Sequence, residues 1–177
     1  MRATGIVRRI DELGRVVIPK EIRRTQRIHS GDALEIFTDG KGEVVFKKYS
    51  PLAELGEPAA AYADVLARRL GCGVAVCDRE KIVAAAGAGR SELLGEPLPP
   101  ELDALLARRK LYTAPEEPLH RVALGSRWLL CAAPVLVHGD IEGGVLLPGM
   151  RRDAVPDPET IRAAATAADF LARWMEE

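Results

Sequence analysis

The chain has 177 residues, of which 47% are hydrophobic and 29% charged, a composition that excludes a disordered protein and predicts a folded core. Its formal net charge of −1 argues against a nucleic-acid partner only until the charges are located along the chain. Residues 1–50 hold 11 Lys and Arg against seven Asp and Glu, whereas residues 51–177 hold 14 against 19. The sequence therefore has a basic first part and an acidic second part.

Neither a membrane segment nor a disulfide framework is expected. No run approaches the roughly 18 apolar residues that span a bilayer, and the N-terminus lacks the apolar stretch of a signal peptide, so we expect a cytoplasmic protein without a membrane partner. Cys72, Cys77 and Cys131 have no paired spacing, which fits reduced thiols. The spacing of Cys72 and Cys77 is wrong for a zinc knuckle, and we predict neither a metal nor a cofactor.

Short β-type runs separated by turns open the chain. Residues 5–10 and 15–18 predict one hairpin, and residues 34–37 and 43–49 predict another around the turn DGKG. Between them Pro19 ends the second run and favours the start of a short helix. A unit of about 50 residues buries too little surface to be stable alone, so we expect it to dimerise.

A basic stripe is the feature of this first part with the clearest chemical meaning. Lys20, Arg23, Arg24 and Arg27 lie at helical spacing and form one face of the short helix. Like charges stacked in this way repel one another unless a polyanion binds, although charge pattern alone leaves a solvated helix face equally open. Further cations lie on the preceding hairpin. The candidate DNA-binding residues are Arg8, Arg9, Arg15, Lys20, Arg23, Arg24 and Arg27.

The sequence changes character over residues 51–57, which predict a linker between a first domain, residues 1–50, and a second domain, residues 58–177. The second domain begins with an amphipathic helix. Its other predicted elements are strands at 73–78 and 81–87, a helix near 101–109 and a hairpin of residues 128–137 and 141–148. Pro134 within this hairpin predicts a bulge or an edge position.

The last helix should be capped by Asp157, with Pro158 at its first position. Its polar residues form one narrow stripe, and Phe170 and Trp174 extend the apolar surface to a second side. A helix so widely apolar is usually covered on both sides, by its own sheet and by a partner subunit. A single wide face toward one core is the alternative.

The segment TGIVRRIDELGRVVIPKEIRRT, residues 4–25, resembles the signature of AbrB-family transition-state regulators. The resemblance implies an N-terminal swapped-hairpin dimer, rich in β-structure with a short helix, in which arginines contact double-stranded DNA with a preference for A·T-rich sequence. Residue by residue it implies contacts by Arg8, Arg15, Arg23 and Arg24, with Arg9 and Lys20 as neighbours.

The segments FKKYSP and FLARWMEE are similar to those of family members in which a GAF-like domain follows the DNA-binding module. This implies a C-terminal α+β domain, an antiparallel sheet flanked by helices, that joins dimers into a homotetramer and is open to an unknown small-molecule ligand. Control of sporulation genes, by activation or repression at the nucleoid, follows from the same resemblance.

Two other functions are weighed against this one. The same β module serves antitoxins that bind proteins, but those chains usually end in an acidic, flexible tail rather than a folded domain. Some GAF-like enzymes reduce methionine sulfoxide with cysteines, yet Cys72 and Cys77 read as buried structural residues and no catalytic set stands out, so we expect no enzyme. The glycines of residues 87–91 follow a strand and favour a turn over a phosphate site.

Overall fold

The structure, a computed structural model, describes residues 4–114 and 121–176. The chain divides into two compact units, Met1–Tyr49 and Ser50–Glu177. No helix among the described residues is long and apolar enough to cross a membrane.

The first unit contains a short helix and one hairpin. Helix α1 spans Lys20–Thr25, and strands β1, Leu34–Thr38, and β2, Val44–Lys48, pair antiparallel. The carboxylate of Asp39 closes their turn by accepting from the backbone N–H groups of Lys41 and Glu43. The predicted short helix and second hairpin are confirmed. Pro19 lies at the N-cap, just before the helix, rather than at its first residue.

The predicted first hairpin is wrong for the isolated chain. Residues 5–10 and 15–18 form no strands; the chain turns back at residues 11–14, and one backbone hydrogen bond joins Asp11 to Arg15. A lone two-stranded ribbon is marginally stable in water, and in a swapped arrangement its partner strands come from a second copy. The apolar side chains of this segment are left in solvent: Ile6, Val7, Ile10, Leu13, Val16 and Val17.

The second unit is built on one antiparallel sheet. Its strands are β3 Val74–Cys77, β4 Ile82–Ala86, β5 Tyr112–Thr113, β6 Ala123–Leu124, β7 Arg127–Val137 and β8 Asp140–Gly149. They lie in the order β4-β3-β8-β7-β5, with β6 paired to β7 beside β5. The predicted strands and the long hairpin are confirmed; the two short strands β5 and β6 were not predicted.

Helices cover both faces of this sheet. They are α2 Pro51–Glu54, α3 Gly56–Leu70, α4 Arg90–Leu93, α5 Pro100–Leu106 and α6 Pro158–Met175. Successive strand residues point to opposite faces. Val74 and Val76 therefore join a core with α2, α3 and α6, whereas Ala75 and Cys77 join a core with α4 and α5. The antiparallel sheet flanked by helices is the predicted fold of this domain.

Residues 51–57, for which the sequence predicts a linker, lie in α2 and the first turn of α3. Ser50 caps α2 by accepting from the backbone N–H of Ala53, and its hydroxyl donates to the buried carboxylate of Asp78. Leu52 is fully buried in the core formed with α3 and α6. This segment therefore belongs to the packed structure of the second unit.

Strand β7 departs from regular pairing near its proline. The register with β8 shifts between Val135 and Leu136, one residue beyond Pro134. On its other side β5 pairs only as far as Ala132, so no strand among the described residues pairs with Pro134 there. The predicted bulge or edge position is confirmed in both senses.

Helix α6 begins as its sequence predicts. The carboxylate of Asp157 accepts from the backbone N–H of Thr160 at 2.9 Å and from its hydroxyl at 2.7 Å. One side of the helix packs into the core through Ala164, Ala168 and Leu171. On the other side Phe170 and Trp174 remain 39% and 46% exposed.

Candidate nucleic-acid interface

The seven candidate DNA-binding side chains of the first unit are all exposed to solvent: Arg8, Arg9, Arg15, Lys20, Arg23, Arg24 and Arg27. They lie in three places: Arg8 and Arg9 before the turn at residues 11–14, Arg15 directly after that turn, and the other four on helix α1 or just beyond its end. Each setting fixes the side chains to a different degree.

Helix α1 carries Lys20, Arg23 and Arg24, and no residue of it is buried. Glu21 lies in its first turn and the two arginines in its last, an arrangement that suits the helix dipole. At offsets of three and four residues the three cations share one face. This part of the predicted basic stripe is present.

Arg27 departs from the stripe because the helix ends at Thr25. Its backbone is in the left-handed region, with φ of 51°, and its carbonyl accepts from the Nζ of Lys48 at 2.6 Å. The backbone N–H of Ile28 closes the helix end by donating to the carbonyl of Arg23 at 2.8 Å. Helical geometry therefore does not set the direction of the Arg27 side chain, which is a correction to the predicted stripe.

The turn between the two extended segments is organised by one carboxylate. Asp11 Oδ1 accepts from the backbone N–H groups of Leu13 at 3.0 Å and Arg15 at 2.8 Å, while Oδ2 accepts from Arg15 Nε at 2.8 Å. Hydrogen bonds from the backbone and the side chain of Arg15 lower the pKa of the Asp11 carboxyl, which is ionised at neutral pH. Arg15 is thus tied to the turn at one nitrogen while its side chain stays 70% exposed.

Sequence reasoning did not single out Asp11. The signal that would have found it is an Asp two residues before Leu13 and four before Arg15 in the turn DELGR, since Asp commonly accepts from the backbone two residues ahead. By contrast, Arg8 and Arg9 lie in the extended segment among exposed apolar residues. The structure gives them no helix or ladder from which a common face could be assigned.

The environments of the three cysteines disfavour reactive thiolates. Cys77 and Cys131 are buried, and burial raises the pKa of both thiols, that of Cys131 to about 12. Cys72 is half-buried in the turn before β3 rather than on a strand, and partial burial raises its pKa as well. Reactive cysteines are usually thiolates at neutral pH, which these environments disfavour. The described residues contain no group of three or more His, Cys, Asp and Glu that could hold a metal ion.

The glycine segment after β4 is a turn filled by an arginine. Gly87 and Gly89 have φ of 68° and 92°, and a side chain at Gly89 would meet the guanidinium of Arg127. Arg127 Nε lies 3.4 Å from the carboxylate of Glu92. Glu92 also accepts from the backbone N–H of Ser126 at 2.7 Å. The prediction of a turn here is confirmed.

Comparison with known proteins covers both units. The family described as "Stage V sporulation protein T C-terminal, transcription factor" matches residues 54–176, and "Antidote-toxin recognition MazE, bacterial antitoxin" matches residues 7–53. Stage V sporulation protein T of Bacillus subtilis (strain 168) is 42% identical over 188 aligned positions, which cover 100% of both chains.

The first unit also matches the transition state regulatory protein AbrB of B. subtilis, with 59% identity over 51 residues, 29% of this chain and 52% of that one. The solved N-terminal DNA recognition domain of AbrB has the same identity, covers 29% of this chain and 94% of that one, and has a TM-score of 0.26. The second unit is similar in fold to a type II free methionine-R-sulfoxide reductase from Thermoplasma acidophilum, with 15% identity, coverage of 68% and 94%, and a TM-score of 0.50.

An N-terminal unit similar to AbrB and a C-terminal sheet with helices on both faces, which matches a transcription-factor family, define a two-domain transcription factor. The chain belongs to the stage V sporulation protein T family, regulators of sporulation.

Proposed function

We propose that this protein is cytoplasmic and nucleoid-associated, binds double-stranded DNA as a dimer through residues 1–50 and regulates sporulation genes. Residues 58–177 form its regulatory and oligomerisation domain. One observation carries the proposal: between Arg8 and Arg27 all seven Lys and Arg side chains of the AbrB-like unit are exposed, in a chain whose net charge is −1. A surface so basic within a near-neutral protein suits a polyanion.

The apolar side chains of the first unit support dimerisation. Val7, Leu13 and Val17 are 88%, 75% and 72% exposed, and on the hairpin β1–β2 Ile36 and Val44 are 61% and 57% exposed. Such a proportion of exposed large apolar residues is unfavourable in water unless another surface covers them. A second copy of this unit, with its strands interleaved, would bury them and double the set of cations.

Affinity in this mode comes chiefly from phosphate neutralisation, and the proposed contacts are Arg8, Arg9, Arg15, Lys20, Arg23, Arg24 and Arg27. Roughly five to eight phosphate contacts per dimer give a slope of about −5 to −7 in a plot of log affinity against log salt. A preference for A·T-rich DNA would arise from groove shape and deformability rather than from base-specific hydrogen bonds.

The second domain is proposed to join dimers into a tetramer. Its support is the exposed aromatic surface of α6, where Phe170 stacks on Tyr62 with ring centroids 4.7 Å apart and meets Trp174 edge-on at 5.4 Å. Val65 on α3 is 60% exposed. Aromatic side chains of this kind are enriched at subunit contacts. A small-molecule ligand of this domain is part of the proposal, without an assigned chemistry.

We propose that the protein is not an enzyme. One solved structure of similar fold is a methionine-R-sulfoxide reductase, but the raised thiol pKa values of Cys77 and Cys131 disfavour the thiolate that a cysteine-based reduction uses. An antitoxin function has one observation in its favour, the match of residues 7–53 to an antitoxin family. The full-length match to a sporulation regulator, which includes the folded second domain, favours DNA binding instead.

The proposal is tested by a DNA-binding titration at several salt concentrations, comparing the wild type with the double variant Arg23→Ala, Arg24→Ala. The variant removes four cations from a dimer, so its affinity should fall about a hundredfold and its salt slope should flatten by about 2 to 4.

The matched control is Arg68→Ala, Arg69→Ala, which removes the same charge from exposed positions on α3 of the second unit. This control should bind DNA nearly as tightly as the wild type. Equal losses in both double variants would show a general charge effect and would contradict the assigned surface.

A further inference from the structure

We infer that Asp11 is a positioning residue for DNA recognition: its carboxylate holds the guanidinium of Arg15 in the orientation in which Arg15 meets the nucleic acid. The inference rests on the proposed DNA-binding function. It assigns a role to an acidic residue in a surface that otherwise works through positive charge.

The two oxygens of the Asp11 carboxylate accept hydrogen bonds from different groups. Oδ1 holds the turn through the backbone N–H groups of Leu13 and Arg15, at 3.0 and 2.8 Å. Oδ2 is committed to the side chain of Arg15, whose Nε lies 2.8 Å away. Arginine has five N–H donors, so one is used here and the four on the terminal nitrogens stay available for phosphate or base edges. Asp11 therefore stabilises the backbone of the turn and also orients the guanidinium of Arg15.

Holding the Arg15 side chain in place before binding should raise the affinity for DNA by an amount that can be estimated. An exposed arginine loses rotamer freedom when it binds, at a cost that corresponds to about three- to tenfold in affinity for each immobilised side chain. Asp11 removes part of that freedom before DNA arrives. A dimer carries two such turns, so the gain in affinity is at most about ten- to a hundredfold. This gain opposes the repulsion between the Asp11 carboxylate and the phosphates, which we take to weaken DNA affinity about two- to threefold.

These two effects have opposite signs, which makes the role of Asp11 testable. In Asp11→Asn, Oδ1 is kept for the turn, but an N–H₂ group replaces Oδ2 opposite Arg15 Nε, so donor faces donor. The matched control is Glu12→Gln, which removes the same charge from the adjacent exposed residue of the turn. Charge alone predicts that both variants bind DNA more tightly than the wild type.

The experiment is a titration of a fluorescent A·T-rich duplex with full-length protein at fixed salt, using wild type, Asp11→Asn, Glu12→Gln, Arg15→Ala and the double variant Asp11→Asn, Arg15→Ala. We expect Glu12→Gln to bind about two- to threefold more tightly and Asp11→Asn about fivefold or more weakly. In the Arg15→Ala background the Asp11 change should no longer weaken binding, because the side chain that it orients is gone.

A loss that persists in the Arg15→Ala background would overturn the inference, because Asp11 would then act on the turn alone. Tighter binding by Asp11→Asn would overturn it as well. Asp11→Ser, which keeps an acceptor for the turn and lacks the charge, is the second variant and should lose affinity similarly while unfolding at the wild-type temperature. If the wild type does not bind the duplex, the DNA-binding proposal itself fails; if it binds and Asp11→Asn binds no more weakly, only the role of Asp11 fails.

Discussion

Replacing Leu52 by alanine tests whether residues 51–57 form a linker or a packed part of the second unit. The side chain is fully buried, and its Cδ1 lies close enough to Gly143 that a Cβ there would approach it to 2.6 Å. Leu→Ala at such a site removes apolar contacts and leaves a cavity, at a cost of about 2–5 kcal/mol. For a unit the size of Ser50–Glu177 a loss of about 3 kcal/mol lowers the melting temperature by about 10 °C.

The assay is thermal and urea unfolding of the full-length protein at one fixed concentration, because association contributes to apparent stability. Leu94→Ala is the control: Leu94 belongs to the same unit but is 49% exposed, so its loss should stay below about 1 kcal/mol. If Leu52→Ala is as mild as Leu94→Ala, then residues 51–57 behave as a linker and the packing described for α2 is refuted.

The remaining predictions concern assembly and thiol reactivity. Phe170→Ala with Trp174→Ala should reduce the proposed tetramer to a dimer in light scattering, because the exposed rings that would meet a partner are removed. A maleimide at pH 7.5 should modify half-buried Cys72 first, and should reach Cys77 and Cys131 only on unfolding, as followed by intact mass, because burial and raised pKa values keep these thiols neutral and covered.

Each of these two predictions has its own control and its own contrary result. Arg173→Ala, an exposed polar change on the same helix, should leave the assembly unchanged; a wild-type protein that is monodisperse as a dimer contradicts the proposed tetramer. For the thiols, denaturant provides the positive control. Fast modification of Cys77 in the folded protein would show that it is accessible and would reopen a redox role.

Elements whose partners lie nearby in the sequence were predictable. The hairpin β7–β8 shows strand patterns on both sides of a short turn, and α6 shows its cap in Asp157 and Pro158. In each case the local pattern and the tertiary packing favour the same structure. The brief strands β5 and β6, of two residues each, have no pattern long enough to detect and form only where β7 offers an edge.

The failures have a common physical cause, since they depend on a partner that sequence pattern does not locate. Residues 5–10 and 15–18 have strand composition but no ladder within one chain. Residues 51–57 have the glycine and prolines of a linker, yet Leu52 finds a core made by distant helices. Of the candidate site, the cations were identifiable from charge and motif, whereas the pairing of Asp11 with Arg15 required the turn itself.

The stacked rings on α3 and α6 have a kinetic consequence. Tyr62 and Phe170 lie at an interplanar angle of 9°, and Trp174 is held edge-on to Phe170, so these side chains are ordered within one subunit. A surface already in its final shape associates as a rigid body, without a slow rearrangement that would limit the encounter rate. The lifetime of an assembly formed there would then be set by how tightly the rings are covered, and substitutions along this row would change the dissociation rate far more than the association rate.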